Sequence, residues 1–160
     1  MDAEKLLRER RTIREYTDQE IDSKTLENIV DIARFAPTGN NVQPWEMVVV
    51  TDEKKLKKIT DYKDQNRSAK AAIGVFMEDK KHNVKDASAL TTYLNLAATA
   101  EGLGACWLNV YQKEYEDEIK EMLNVPEEYT LFSFVTLGYP AEDPEVEKRD
   151  LDDVIHREEF

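Results

Sequence analysis

A long apolar segment in the middle of the chain, residues 86–103, constrains the fold most strongly. Its apolar side chains lie on nearly every face of a helix, and two glycines at positions 102 and 104 predict where that helix ends. A helix that is apolar on most faces is buried, either in the core of its own chain or against a second subunit. The apolar side chains are those of Leu90, Tyr93, Leu94, Leu96, Ala97, Ala98, Ala100 and Leu103.

Helices and strands alternate along the rest of the chain. Apolar residues recur with helical spacing over residues 23–36, where Pro37 predicts the end of the helix because proline disfavours helical geometry in the residue before it. Taken alone, the alternation favours helices packed around one sheet, within a single domain spanning residues 1–160. The other predicted helices cover residues 2–9, 52–60 and 114–123, and the predicted strands cover residues 45–51, 71–77, 105–110 and 130–138.

Charge and cysteine content restrict the partners and the compartment. The chain has 34 acidic and 22 basic side chains and a net charge of −12, which argues against nucleic acid or an anionic membrane as a general partner. Cys106 is the only cysteine, so no intrachain disulfide is possible and a reducing compartment fits. The amino terminus is too charged for a secretory signal, and no apolar run reaches the roughly 18 residues of a membrane span. We therefore expect a cytoplasmic protein.

A polar loop precedes the first predicted strand. Residues 37–44 contain two prolines and a glycine together with three carboxamides, those of Asn40, Asn41 and Gln43. A rigid loop of this kind can present donors and acceptors to a flat polar ligand. An ordinary helix-to-strand turn with solvated amides is an equally good interpretation of the loop alone.

An arginine cluster near the amino terminus is a second candidate binding element. If the segment is extended, Arg10, Thr12 and Arg14 share one face and could hold a phosphate or a polyol. A solvated helix end, with Glu9 and Glu15 as ion-pair partners, is the competing interpretation. The cluster comprises Arg8, Arg10, Arg11 and Arg14.

Motifs of other chemistries are missing. His82 and His156 have no second ligand at metal spacing, so we expect no metal site. There is no Gly-x-Ser-x-Gly sequence, no P-loop and no complete dinucleotide fingerprint, and Cys106 is best interpreted as a buried structural thiol. Demanding chemistry would need a borrowed cofactor.

Five segments together resemble the nitroreductase family, in the family's order and over nearly the whole chain. Residues 10–16 (RRTIREY) resemble its Arg-Arg-Ser-Ile-Arg-x-Phe opening, and residues 36–45 (APTGNNVQPW) resemble its Ala-Pro-Ser-Gly-x-Asn-x-Gln-Pro-Trp signature. Residues 95–108 (NLAATAEGLGACWL) are similar to its Asn-Leu segment with the Gly-Leu-Gly turn and a following Trp. Residues 137–140 (LGYP) match its Ile-Gly-Tyr-Pro segment, and residues 148–154 (KRDLDDV) resemble its basic tail.

The resemblance implies an α+β fold with a mixed sheet flanked by helices and a long central helix at a homodimer interface. It also implies an FMN-dependent oxidoreductase in which flavin N5, rather than a catalytic side chain, carries hydride from NAD(P)H to a nitro-compound, a quinone or a similar acceptor. Dehalogenation, flavin destruction and azoline oxidation are alternative chemistries of this fold. A flavin-storing or regulatory dimer is a non-enzymatic alternative.

The same resemblance implies roles for individual residues. The phosphate and ribityl chain of FMN would contact Arg10 and Thr12, Arg14 would face the N1/O2 edge of the ring, and Asn109 is the candidate partner of N5. Trp107 and Leu108 would contribute main-chain N–H groups near O4 and N5, although packing in the core is the favoured role for the side chains of Trp45 and Trp107. Four loop residues would approach the ring from the other subunit: Pro37, Thr38, Gly39 and Asn41.

Other basic residues have two interpretations each. Lys148 and Arg149 would complete the phosphate clamp, with a solvated tail as the alternative. Arg11 is a further cofactor candidate, and an ion pair is the alternative for it, as it is for Arg8. Three departures from the family's pattern are Thr12 and Thr38 in place of serine, a short connection of residues 79–86 where longer relatives insert a lid, and an unaligned cofactor contact near Asn66 and Arg67.

Overall fold

A computed structural model describes residues 2–62, 68–78 and 83–160 of the chain. The candidates Asn66, Arg67 and His82, and most of the short connection after residue 78, lie outside these residues. Within the described ranges the helices are α1 (Ala3–Glu9), α2 (Ser23–Ala33), α3 (Glu53–Asp61), α4 (Asn83–Ala100) and α5 (Glu116–Leu123). The strands are β1 (Trp45–Val50), β2 (Ala71–Glu78), β3 (Gly104–Asn109) and β4 (Tyr129–Gly138).

Every predicted element is present, with small differences at the ends. Helix α2 ends at Ala33 instead of residue 36, and the N–H groups of Phe35 and Ala36 close a tighter turn by donating to the carbonyls of Ile32 and Ala33. The residue before Pro37 avoids helical geometry, so the helix stops early. Helix α4 begins at Asn83, three residues before the predicted start.

The four strands form one sheet in the order β1-β2-β4-β3, and all three neighbouring pairs are antiparallel. Within the described ranges, parallel pairing is limited to one bridge between Thr12 and Ala105 at the β3 edge. The expected α+β class is therefore confirmed, while the mixed character of the sheet within this chain is restricted to that bridge. The alternation of helices and strands does not reveal which strands are neighbours or in which direction they run. In this chain each neighbouring pair runs antiparallel.

Helix α4 is buried in the core of its own chain, which is one of the two alternatives that its apolar surface predicts. Leu90, Leu94 and Ala98 are inaccessible to solvent and pack with α2 against one face of the sheet. A second apolar cluster on the other face joins α3 and α5 to the sheet, so helices cover both faces. No helix among the described residues combines the length and the apolar character that crossing a membrane requires.

The two tryptophans have different environments. Trp45 begins β1 and is buried, with 9% of its surface exposed, as expected for a core residue. Trp107 lies on the edge strand β3 and is 37% exposed, so the expectation that it packs in the core is wrong. Trp107 and Asn109 are the exposed residues of β3, and Trp107 lines an open cavity together with Val84 near the start of α4.

Candidate functional site

Two glycines seat the arginine segment against the end of the sheet. Gly104 of β3 and Gly138 of β4 are directly paired. Ile13 packs over Gly104, where a Cβ atom would lie 2.7 Å from Cγ2 of Ile13, and Tyr16 packs over Gly138, where a Cβ atom would lie 2.6 Å from Cγ of the ring. Ile13 and Tyr16 are both buried, so the intervening residues are held by an apolar side chain at each end.

Tyr16 is also fixed by its hydroxyl group. The hydroxyl donates to the carbonyl oxygen of Ile13 at 2.7 Å and lies 3.1 Å from Oγ1 of Thr136. Burial raises the pKa of Tyr16 well above the ordinary tyrosine range, which keeps the hydroxyl protonated. The ring therefore has little freedom to leave its place over Gly138.

The chain after β4 runs back along the arginine segment. The N–H of Thr17 donates to the carbonyl of Tyr139 at 2.8 Å, and the N–H of Ala141 donates to the carbonyl of Glu15 at 2.9 Å. One carboxylate oxygen of Glu142 then accepts from the N–H groups of both Arg14 and Glu15. No local sequence pattern predicts this role of Glu142, because the pairing that brings residue 142 to residue 14 is long-range.

Most of the predicted phosphate residues line one cavity of about 290 Å³. Among the described residues, none of the four basic side chains that line it forms an ion pair, so four positive charges lie together there in an acidic chain. A cluster of this kind repels itself unless an anion binds to it. The lining residues are Arg10, Arg11, Thr12, Arg14, Pro144, Val146 and Lys148.

The remaining basic residues have local partners. The Arg11 guanidinium donates to the carbonyls of Arg8 and Arg10, which end helix α1, so this side chain satisfies helix carbonyls while lining the cavity. The expected ion pair of Arg8 is present, with Glu4 at 2.8 Å. Arg149 donates to the carbonyl of Asp153 and does not line the cavity.

The polar loop has an ordered and unusual backbone. Asn40, Asn41 and Gln43 all have left-handed backbone angles, with φ between 51° and 55°. Thr38 organises the turn, since its Oγ1 accepts from the N–H of Gln43 at 3.2 Å and its carbonyl accepts from the N–H of Asn41 at 3.2 Å. Gly39, Asn40 and Asn41 are exposed, so the loop presents its polar groups outward.

Trp107 and Asn109 line a second, mainly aromatic cavity of about 390 Å³, together with Val84, Tyr111 and Phe132. The ring of Phe132 lies 6.1 Å from that of Trp107 and 5.6 Å from that of Tyr111, measured between centroids. Such a surface suits the face of a flat aromatic ligand. Leu108 is buried on the opposite face of β3, so only its main chain is near this cavity.

Of the three groups of predicted cofactor residues, the structure brings together the arginine segment and the residues of strand β3, but not the polar loop. The parallel bridge between Thr12 and Ala105, with the N–H of Ile13 donating to the carbonyl of Ala105 at 3.0 Å, joins the arginine segment to strand β3. Two residues after this bridge, the arginine segment reaches Arg14 and strand β3 reaches Trp107. The loop of residues 37–41 contributes to the lining of neither cavity, which fits the expectation that it serves another subunit.

The family model described as Nitroreductase family matches residues 7–81 and 77–139, and this chain therefore belongs to the nitroreductase family. A protein of Archaeoglobus fulgidus, named as a candidate NADH dehydrogenase/NAD(P)H nitroreductase, is 37% identical over 169 residues, covering 98% of this chain and 97% of that protein. A protein of Methanothermobacter thermautotrophicus with the same name is 34% identical, covering 100% of this chain and 88% of its own length.

Solved structures share the fold. The FMN-dependent nitroreductase of Clostridium difficile R20291 superimposes with a TM-score of 0.86 at 29% identity, covering 97% of this chain and 98% of that one. An iodotyrosine deiodinase bound to FMN and 3-iodo-L-tyrosine superimposes with a TM-score of 0.79 at 23% identity, covering 98% of each chain. The second likeness shows that the same fold also occurs in a deiodinase.

Proposed function

We propose that this chain binds FMN and is an NAD(P)H-dependent oxidoreductase that reduces a nitro-compound, a quinone or a similar small acceptor. The observation that carries the proposal is the cavity in which Arg10, Arg14 and Lys148 converge without an ion-pair partner among the described residues. Guanidinium groups bind phosphate through paired, charge-assisted hydrogen bonds, and Thr12 adds a hydroxyl donor. The residues present therefore fit the phosphate end of FMN.

The direction of the chain supports one orientation of the cofactor. Arg10 and Lys148 would hold the phosphate, while Arg14 and strand β3 would hold the ring. The reason is that the arginine segment and strand β3 run in the same direction from the parallel bridge between Thr12 and Ala105, so Arg14 lies toward the same end as Trp107. The aromatic cavity beside Trp107 and Asn109 offers a flat surface for the isoalloxazine. Positive charge from Arg14 at the ring edge would stabilise negative charge that accumulates there.

Bound FMN would supply the redox chemistry, accepting hydride from NAD(P)H and passing two electrons to the acceptor in a ping-pong sequence. The described residues position the reactants and supply electrostatics, as in cofactor enzymes generally. Asn109 would be a polar partner at N5, and the main chain of Trp107 and Leu108 would face O4. Arg149 would contribute to the phosphate clamp only if its bond to the Asp153 carbonyl were released.

A homodimer would complete the site. The loop containing Pro37, Thr38, Gly39 and Asn41 lies outside both cavities of its own chain and is exposed, as a segment that approaches the ring of a partner's cofactor must be. The tail carries exposed apolar side chains, with Leu151 at 70% and Val154 at 51% exposure, which a second subunit would cover. Within this proposal the protein is cytoplasmic.

Absorbance and stopped-flow measurements test the proposal. The purified protein should be yellow or take up added FMN, sediment as a dimer, and show flavin bleaching when mixed with NADH or NADPH. A panel of nitro-compounds, quinones and halogenated phenols then identifies the acceptor; turnover of the last group alone would favour the chemistry of the deiodinase relative. Tight FMN binding without reduction by either nucleotide would favour a storage or regulatory role, and a colourless monomer without affinity for FMN would refute the proposal.

A further inference from the structure

Asp86 is a buried carboxylate near the start of the central helix. Only 8% of its surface is exposed, and no other Asp, Glu, Lys or Arg side chain is buried in the part of the chain that the structure describes. Burying a carboxylate is costly unless hydrogen bonds or favourable dipoles compensate. The first turns of a helix provide part of this compensation, because the positive end of the helix dipole favours a negative charge there.

The polar loop provides the hydrogen bond. The N–H of Gly39 donates to Oδ1 of Asp86 at 3.3 Å, over 47 positions in the sequence. The other recorded hydrogen bonds of Thr38 to Gln43 stay within the loop. The Pro44 carbonyl at the end of the loop accepts from the N–H of Glu78 in β2 at 2.9 Å. Among the described residues, Asp86 accepts the one hydrogen bond that ties residues 38–43 of the loop to another element of the fold.

The loop needs such a tether. Left-handed backbone angles occur at Asn40, Asn41 and Gln43. This conformation is sterically less favourable for glutamine than for asparagine or glycine. Packing in a core does not hold this conformation, since Gly39, Asn40 and Asn41 are exposed. A strained and exposed loop keeps one conformation only when fixed contacts hold it.

We infer that Asp86 is a positioning residue that fixes the polar loop to the start of α4 and so presents its main chain to the flavin. This role rests on the proposed function, in which residues 37–41 approach the cofactor of the partner. Asp86 itself contacts no reacting atom. Its carboxylate couples the loop to the helix that forms the centre of the fold, so the loop conformation exists before the cofactor binds.

Amide hydrogen exchange of the cofactor-free protein tests the tether without depending on FMN. In the wild-type protein the Gly39 amide should exchange about tenfold more slowly than the neighbouring Asn40 amide, which donates to no acceptor among the described residues. Asp86→Ala should remove this difference, and Asp86→Asn should retain most of it because the carboxamide keeps an acceptor oxygen. Ser88→Ala removes a hydroxyl that bonds only to the Val84 carbonyl on the same helix, and serves as the matched control.

Titration with FMN then tests the consequence for the site. Asp86→Ala should weaken FMN binding about tenfold, while Asp86→Asn and Ser88→Ala stay close to wild type. Equal exchange of the Gly39 and Asn40 amides in the wild-type protein would overturn the tether, and this result is obtained even if Asp86→Ala fails to fold. A lower melting temperature with unchanged loop exchange and unchanged FMN affinity would show that Asp86 only stabilises the helix. Wild-type protein that shows the exchange pattern but never binds FMN would refute the proposed function and leave the tether intact.

Discussion

Substituting Gly138 by alanine should disturb the seat of the arginine segment. The added Cβ would lie 2.6 Å from Cγ of Tyr16 and 2.7 Å from Cβ and Cδ1, all distances that carbon atoms cannot keep. The ring cannot simply swing away, because its hydroxyl is bonded to the Ile13 carbonyl and lies beside Thr136. Relief of the clash therefore displaces the segment that carries Arg14.

The size of the effect follows from two contributions. Overpacking a filled site costs about 1–3 kcal/mol. Displacing Tyr16 also weakens its hydroxyl hydrogen bonds, each worth about 1 kcal/mol. We expect the free energy of unfolding of the cofactor-free protein to fall by about 2–4 kcal/mol, measured by urea denaturation, together with weaker FMN binding.

Gly39→Ala is the matched control for stability. A Cβ at Gly39 has no heavy atom within 4 Å, so unfolding should change by less than about 0.5 kcal/mol. A double-mutant cycle isolates the clash: Gly138→Ala should cost much less in a Tyr16→Ala background, in which the ring is absent. If Gly138→Ala matches wild type in both stability and FMN affinity, or if its cost is the same with and without the ring, the seat does not work as described.

Three further predictions concern single residues. Lys148→Ala should weaken FMN binding about tenfold in a fluorescence titration, whereas Arg149→Ala, which removes a side chain bonded to the Asp153 carbonyl, should change it little; equal losses would place both in the phosphate site. Trp45→Ala should destabilise the protein by about 3–5 kcal/mol because Trp45 is buried, and Trp107→Ala should cost much less in the absence of FMN; the reverse order in thermal unfolding would contradict the burial assignment. Burial raises the pKa of Tyr16 in the folded state, so the unfolded chain loses the tyrosine proton at lower pH than the folded protein does. The contribution of Tyr16 to stability is therefore complete below the ordinary tyrosine pKa near 10. It is lost as the pH rises above that value, by up to about 1.4 kcal/mol per pH unit. Tyr16→Phe should therefore show a shallower loss of stability than wild type between about pH 10 and pH 11.5 in urea denaturation, and an identical slope would refute the assignment.

Local pattern predicted most of the fold. The apolar helix had to be buried, and Leu90, Leu94 and Ala98 are inaccessible in the structure. Helical spacing of apolar residues located the helices, and short apolar runs located the strands, to within a few residues at each end. The order and direction of the strands were not readable from local pattern, because pairing between β2 and β4 joins residues about sixty positions apart.

The candidate site was predictable only in part. The period-two argument placed Arg10, Thr12 and Arg14 on one face, and all three line one cavity, which Arg11 and Lys148 line as well. Their role in binding a phosphate stays a prediction. The anchors that hold these residues were missed, since Gly104 and Gly138 act through a cross-strand pair that no sequence spacing reveals. Asp86 was missed for the same reason: it reads as an ordinary first-turn acid until the structure brings Gly39 to it.

A comparison of FMN with riboflavin tests the central claim most directly, because the two ligands differ only in the phosphate that Arg10 and Lys148 would bind. Binding to the purified wild-type protein should be about a hundredfold or more tighter for FMN, from two or more charge-assisted hydrogen bonds, and this preference should weaken as salt is added. The double substitution of these two residues by alanine should bring the two affinities close together. Equal affinity of wild-type protein for FMN and riboflavin would contradict the assignment of this cavity as the phosphate site.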